Sequence, residues 1–177
     1  MEFFALEAAP PPASGPLFEA ISRNLARCLD QVPADIPAGL HLCYGDLEHS
    51  HFMQPPSLAR QCQLLDAVSA AAHRPVSFAS FTVPQDQTDP AYFAPLAELR
   101  TGPPTQLYFS LVPYYPTRQD PGATGKQVAL IDAALAATQA GTRPWGVSTE
   151  CGMGRAERAE VTALLDQHAK IIADHGR

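Results

Sequence analysis

A chain of 177 residues that is 46% hydrophobic and 17% charged is globular and long enough to bury one core. Its net charge of -6 and pI near 5.4 exclude the basic patch that nucleic-acid binding needs, and no apolar run is long enough to span a bilayer. The acidic start Met1-Glu2-Phe3-Phe4 lacks the basic opening of a signal peptide, and 4 cysteines at unrelated spacings point to a reducing cytoplasm rather than a disulfide framework.

The apolar run Glu2 to Ala8 reads as a first strand. Pro10 to Pro16 then reads as an irregular loop, because prolines remove backbone donors and break regular structure. Leu17, Ile21, Leu25 and Leu29 recur every fourth residue and predict an amphipathic helix, ended by Pro33 and Pro37. Gly39 to Tyr44 is the second strand, followed by a loop from Gly45 to Pro56. Ser57 is placed to cap a helix running through Ala72, stopped at Arg74-Pro75. Val76 to Val83 is a third strand, and Asp89-Pro90 opens a short helix around Tyr92 to Leu99. Gln106 to Val112 is a fourth strand. After a proline- and glycine-rich loop, a helix is predicted from Lys126 to Gln139 and a fifth strand from Trp145 to Thr149. The last helix is predicted over Arg155 to Asp174, with Val161, Leu164, Leu165, His168, Ile171 and Ile172 at helical spacing.

Alternation of strand and helix, about five times over, predicts one α/β domain over 1–177 with parallel βα repeats. Right-handed crossovers bring the carboxyl ends of all the strands to one edge, where ligands bind in open α/β sheets and in barrels alike. Periodicity alone leaves open which of the two this is. An eight-stranded barrel needs about 250 residues, so the chain is too short for a whole one.

Two segments at that edge carry the chemistry. His41 and Cys43 in His41-Leu42-Cys43-Tyr44-Gly45-Asp46 are two apart on a strand and so project from one face. Cys151 follows the fifth strand in Thr149-Glu150-Cys151-Gly152. One imidazole and two thiolates suit zinc with a coordination position left open. A buried, hydrogen-bonded histidine beside a small apolar cysteine fits the same pattern. Asp46 follows as an acid able to orient His41 or to form an Asx turn after Gly45. Cys28 and Cys62 fall on apolar helix faces and read as structural, and His73, His168 and His175 are assigned no chemistry.

His41-x-Cys43-Tyr44 together with Glu150-Cys151-Gly152-Met153 and Arg155 resembles the carboxyl-terminal barrel of cobalamin-independent methionine synthase. It resembles more closely the shorter proteins of the uroporphyrinogen decarboxylase/methionine synthase-like superfamily. The family pattern ends its last strand in Asp-Cys-Gly-Leu-x-x-Arg; this chain has Glu150 for Asp, Met153 for Leu, and Arg155 one place early. The resemblance spans nearly all of the chain but only the second half of the family's barrel. It implies a partial TIM barrel in which His41, Cys43 and Cys151 hold zinc. The implied reaction is zinc-dependent methyl or alkyl transfer to a small-molecule thiol such as homocysteine, with a folate as methyl donor. Asp46 and Glu150 are then the catalytic candidates, and Glu7, His51 and Arg155 the substrate-binding ones. Two departures stand out: the strand Val76 to Phe81 lacks the family's ligand Glu, and the first half of the barrel is missing. They support an alternative: a catalytically incomplete zinc-binding or partner-subunit module, or the remnant of a full-length barrel enzyme. The missing strands also imply a homo-oligomer or a partner chain that completes the barrel.

Overall fold

The computed structural model describes residues 11–45, 54–114 and 122–175. The strand expected over Glu2 to Ala8 lies outside them. Helix α1 (Pro11–Asp30) begins inside the stretch expected as a loop, Pro10 to Pro16, ahead of the helix start expected at Leu17. Pro11 and Pro12 stand in the first turn, where the backbone N–H has no helical acceptor to lose, so proline is tolerated there. Pro16, inside the helix, forgoes one such bond. Ile21, Ala26 and Leu29 bury one face of α1 against α2 (Ala59–Ala71). Asp30 then receives the His73 N–H at 2.8 Å, and Arg74 donates to the carbonyls of Val32, Pro33 and Ile36 at 2.7, 3.1 and 2.6 Å. These bonds tie the loop leading into β1 to the end of α2.

The strands are β1 (Gly39–Leu42), β2 (Phe78–Phe81), β3 (Gln106–Val112) and β4 (Trp145–Thr149). All pair in parallel, in the order β1-β2-β3-β4. Between β2 and β3 come the short α3 (Pro90–Phe93) and a 3₁₀ segment (Ala94–Glu98). Asp89 accepts the Ala91 N–H at 2.9 Å, and Pro90 follows it in the first turn, the signal the sequence offered. The helix α4 (Ala123–Ala136) leads into β4. The last helix, α5 (Arg158–His175), begins three residues later than expected because a 3₁₀ turn (Met153–Arg155) comes first. Among the described residues no helix is long and apolar enough to cross a membrane.

The core lies on one face of this sheet. Leu40, Leu42, Ala79, Phe81, Leu107, Phe109, Trp145 and Val147 are buried there, as the period of two along a strand requires. Phe81 stacks on Phe109 at 5.2 Å, and Trp145 meets Phe109 edge-on at 5.2 Å. At the start of the strands Arg143 donates to the carbonyls of Thr101 and Thr105, each at 2.6 Å. There Asp66 accepts the backbone N–H groups of Arg100 and Thr101.

The opposite face differs. Gly39, His41, Phe78, Ser80, Gln106, Tyr108, Gly146 and Ser148 alternate onto it, and none of them is buried. Parallel sheets are ordinarily covered on both sides; among the described residues nothing covers this face. It is also concave. Ser80 and Ser148 stand two strands apart, about 9–10 Å in a flat sheet, yet their hydroxyls are 3.2 Å apart. The Phe78 and Tyr108 side chains pack against glycines on this face. A Cβ built on Gly39 would lie 2.2 Å from the Phe78 carbonyl oxygen and 2.6 Å from its ring, and one on Gly146 would lie 2.7 Å from the Tyr108 ring. Glycine at Gly39 therefore admits the neighbouring strand's backbone as well as the ring, and glycine at Gly146 admits the Tyr108 ring.

Candidate metal centre

The first donor pair is set by the pleat of β1. Leu42 and Tyr44 turn inward and are 6% and 0% exposed, which leaves His41 and Cys43 to the concave side. Tyr44 is held from behind by a buried glutamine on α2: the Gln61 amide donates to the Tyr44 hydroxyl at 3.0 Å and to the Thr82 carbonyl at 2.9 Å. The Gln61 oxygen in turn accepts the Thr82 N–H at 2.9 Å. Three hydrogen bonds from one side chain thus fix the ends of β1 and β2 to each other.

Thr82 also reaches the second donor segment. Its N–H donates to the Leu42 carbonyl at 3.1 Å, and its hydroxyl donates to the Glu150 carbonyl at 3.4 Å. The Thr149 hydroxyl donates to the carbonyl of Cys151, and the Tyr114 hydroxyl to that of Gly152 at 3.3 Å. The turn carrying Cys151 is therefore pinned at Glu150, Cys151 and Gly152. In a flat sheet β1 and β4 would stand about 14 Å apart. Here the ligand atoms of His41, Cys43 and Cys151 all lie within 4.8 Å of one another.

Burial is graded across the three. Cys151 is 7% exposed, Cys43 is half-buried and His41 is exposed. Cys43 is an activated thiol: its pKa falls to about 7, chiefly through the hydrogen bond with His41. Burial opposes this shift, while the Gly45 backbone N–H, the His41 charge and a hydrogen bond with Cys151 assist it. The same Cys43 contact raises the His41 pKa, against desolvation. Cys62 is the contrast. Burial, and behind it the charge of Asp66, push its thiol up to about 12.

Donor chemistry and spacing fit a zinc ion. Tetrahedral zinc with Zn–S bonds of about 2.3 Å holds its sulfur ligands about 3.8 Å apart, within reach of side chains already this close. Three protein donors with one exposed side leave a position open. A metal ion can therefore be held by His41, Cys43 and Cys151, as the sequence suggested.

The other predicted residues are distributed unevenly. Glu7, Asp46 and His51 lie outside the described residues. Glu150 is half-buried beside Cys151, and Arg155 closes the 3₁₀ turn rather than opening the last helix. Tyr108 lies on the concave face. Cys28, expected on an apolar helix face, is exposed. Sequence reasoning missed Gln61 and Thr82, which position the donors, and the Ser80–Ser148 pair on the concave floor. Only Gln61 left a trace in the sequence: a polar residue among Leu58, Cys62 and Leu65 on a helix face otherwise apolar. The chain matches no family model, no curated protein and no solved structure.

Proposed function

We propose that the chain carries the zinc half of a thiol-activating methyl or alkyl transferase of the methionine synthase type. The convergence of His41, Cys43 and Cys151 within 4.8 Å at the carboxyl edge of a concave parallel sheet carries this reading. The four strands follow sequence order with no reversal, the order of a barrel wall; a doubly wound sheet reverses direction at a switch point. The concave face is then the inside of a partial TIM barrel.

In this reading His41, Cys43 and Cys151 hold the ion. Zinc supplies the Lewis acidity that deprotonates a bound substrate thiol at neutral pH. Gln61 and Thr82 keep the donor segments together, so that the site is organised before substrate arrives. His41, the exposed donor, leaves the concave side open to a small-molecule thiol such as homocysteine, with a folate as methyl donor. Glu150, beside Cys151, and Asp46 are the acids proposed to act with the bound thiol. Glu7, His51 and Arg155 are proposed as substrate contacts.

A second reading is a zinc-binding module that is inactive by itself. Two observations favour it: no element among the described residues covers the concave face, and the β2 residues on that face are Phe78 and Ser80, without a carboxylate.

Metal analysis of the purified protein tests the common premise. The expected content is about one zinc per chain, with near-complete loss in Cys43→Ser and in Cys151→Ser. Unchanged metal in both variants sinks the premise. Methyl transfer from methyltetrahydrofolate to homocysteine separates the readings: the zinc-loaded chain alone is expected to show little or none, and activity to appear once further strands cover the concave face.

A further inference from the structure

The geometry points to a modification site: we propose that Cys43 and Cys151 form a dithiol that a hydroperoxide oxidises to a disulfide. The two sulfurs belong to segments far apart in sequence, on β1 and after β4, yet lie within 4.8 Å of each other. Thr82 bonds both segments, through the Leu42 and Glu150 carbonyls, so the approach is built into the fold. Cys43 is half-buried and reachable, whereas Cys151 is 7% exposed. This pairs an accessible sulfur with a sheltered one, the arrangement of an attacking and a resolving thiol. The other cysteines lack the arrangement: Cys28 and Cys62 lie on α1 and α2, outside the cluster.

The step balances with a hydroperoxide as oxidant. The Cys43 sulfur attacks the peroxide; an S–O bond forms, the O–O bond breaks, and the alcohol (or water) leaves with the thiol proton. The Cys151 sulfur then attacks the Cys43 sulfur. The S–S bond forms, the S–O bond breaks, and hydroxide departs as water with the second thiol proton. Two electrons pass from the two sulfurs to the peroxide. The disulfide stands independently of any bound ion. Only its consequence rests on the metal reading: oxidation removes two of the three donors, so a bound ion is released.

Hydrogen peroxide titration of the full chain tests this, with thiols counted, metal read by a chromogenic chelator, and peptides mapped without reduction. Free thiols are expected to fall from 4 to two, with Cys43 and Cys151 cross-linked and both thiols restored by a phosphine reductant. A variant with Cys28→Ser and Cys62→Ser is expected to respond in the same way. Cys151→Ser is expected to leave a Cys43 sulfenic acid that dimedone traps. Oxidation of Cys43 straight to sulfinic acid, or a disulfide through Cys28 between chains, overturns the inference. A disulfide formed by protein that never bound metal supports the dithiol and refutes the metal reading. Bound metal with both thiols surviving excess peroxide does the reverse.

Discussion

Chemistry at the site is set by which atoms each residue is allowed to face. Cys43 and Cys62 share one side chain and differ in pKa by about five units, from about 7 to about 12. Cys43 has an imidazole and a backbone N–H to stabilise its thiolate; Cys62 is desolvated by burial and lies near the carboxylates of Asp66 and Glu98. The consequence is measurable on metal-free protein. Because the Cys43 pKa is lowered, its thiolate is present above pH 7 and lost below it. Its alkylation rate with iodoacetamide should therefore rise through a midpoint near pH 7, while Cys62 stays unreactive across neutral pH. His41 is the largest cause of the shift, so His41→Ala is expected to move the midpoint upward. A midpoint that stays put in that variant would show that the Gly45 N–H and Cys151 carry the effect instead.

Among the elements, the strands were the most legible and the helix termini the least. β3 and β4 were legible as short apolar runs bounded by proline and glycine, and β4 alternates buried and half-buried residues. β1 was legible for the same reason, and with it the pairing of His41 and Cys43. The start of α1 was not, since a run such as Pro10 to Pro16 is equally compatible with a loop and with a proline-opened first turn. What brings Cys151 to His41 was also hidden. That proximity depends on sheet curvature and on Thr82, and neither leaves a local pattern. Gln61 is the point where element packing and site meet. Replacing it with Leu removes the hydrogen bonds that Gln61 donates to the buried Tyr44 hydroxyl and the Thr82 carbonyl. The expected cost is about 2–3 kcal/mol, or a fall in Tm of about 4–12 °C for a chain of this size. Thermal unfolding followed by circular dichroism checks this; a change under one degree would mean that the amide is dispensable and the β1 and β2 ends are held by the ladder alone.

The whole molecule presents an unusual surface: a concave sheet face with aromatic side chains and no described element across it. Parallel sheets seldom leave one side to water, and exposed aromatic or aliphatic side chains can mark an interface. Phe78, where β2 begins, is 37% exposed on the concave face, and Leu165 and Ile172 on α5 are 53% and 43% exposed. Two surfaces are thus available, and the curvature of the sheet favours the concave one. The chain is expected to associate with a second copy or a partner chain through that face, and a symmetric pair is the commonest arrangement for identical copies. Sedimentation equilibrium at micromolar concentration should show a species heavier than 19.0 kDa. Phe78→Lys places a charge on the concave face where β2 begins, on a side chain that already reaches solvent, so it should return the protein to monomer without unfolding it. Leu165→Lys with Ile172→Lys should leave association intact. The opposite pattern would assign the interface to α5, and a clean 19.0 kDa species from the unmodified chain would show that this sheet face is content in water.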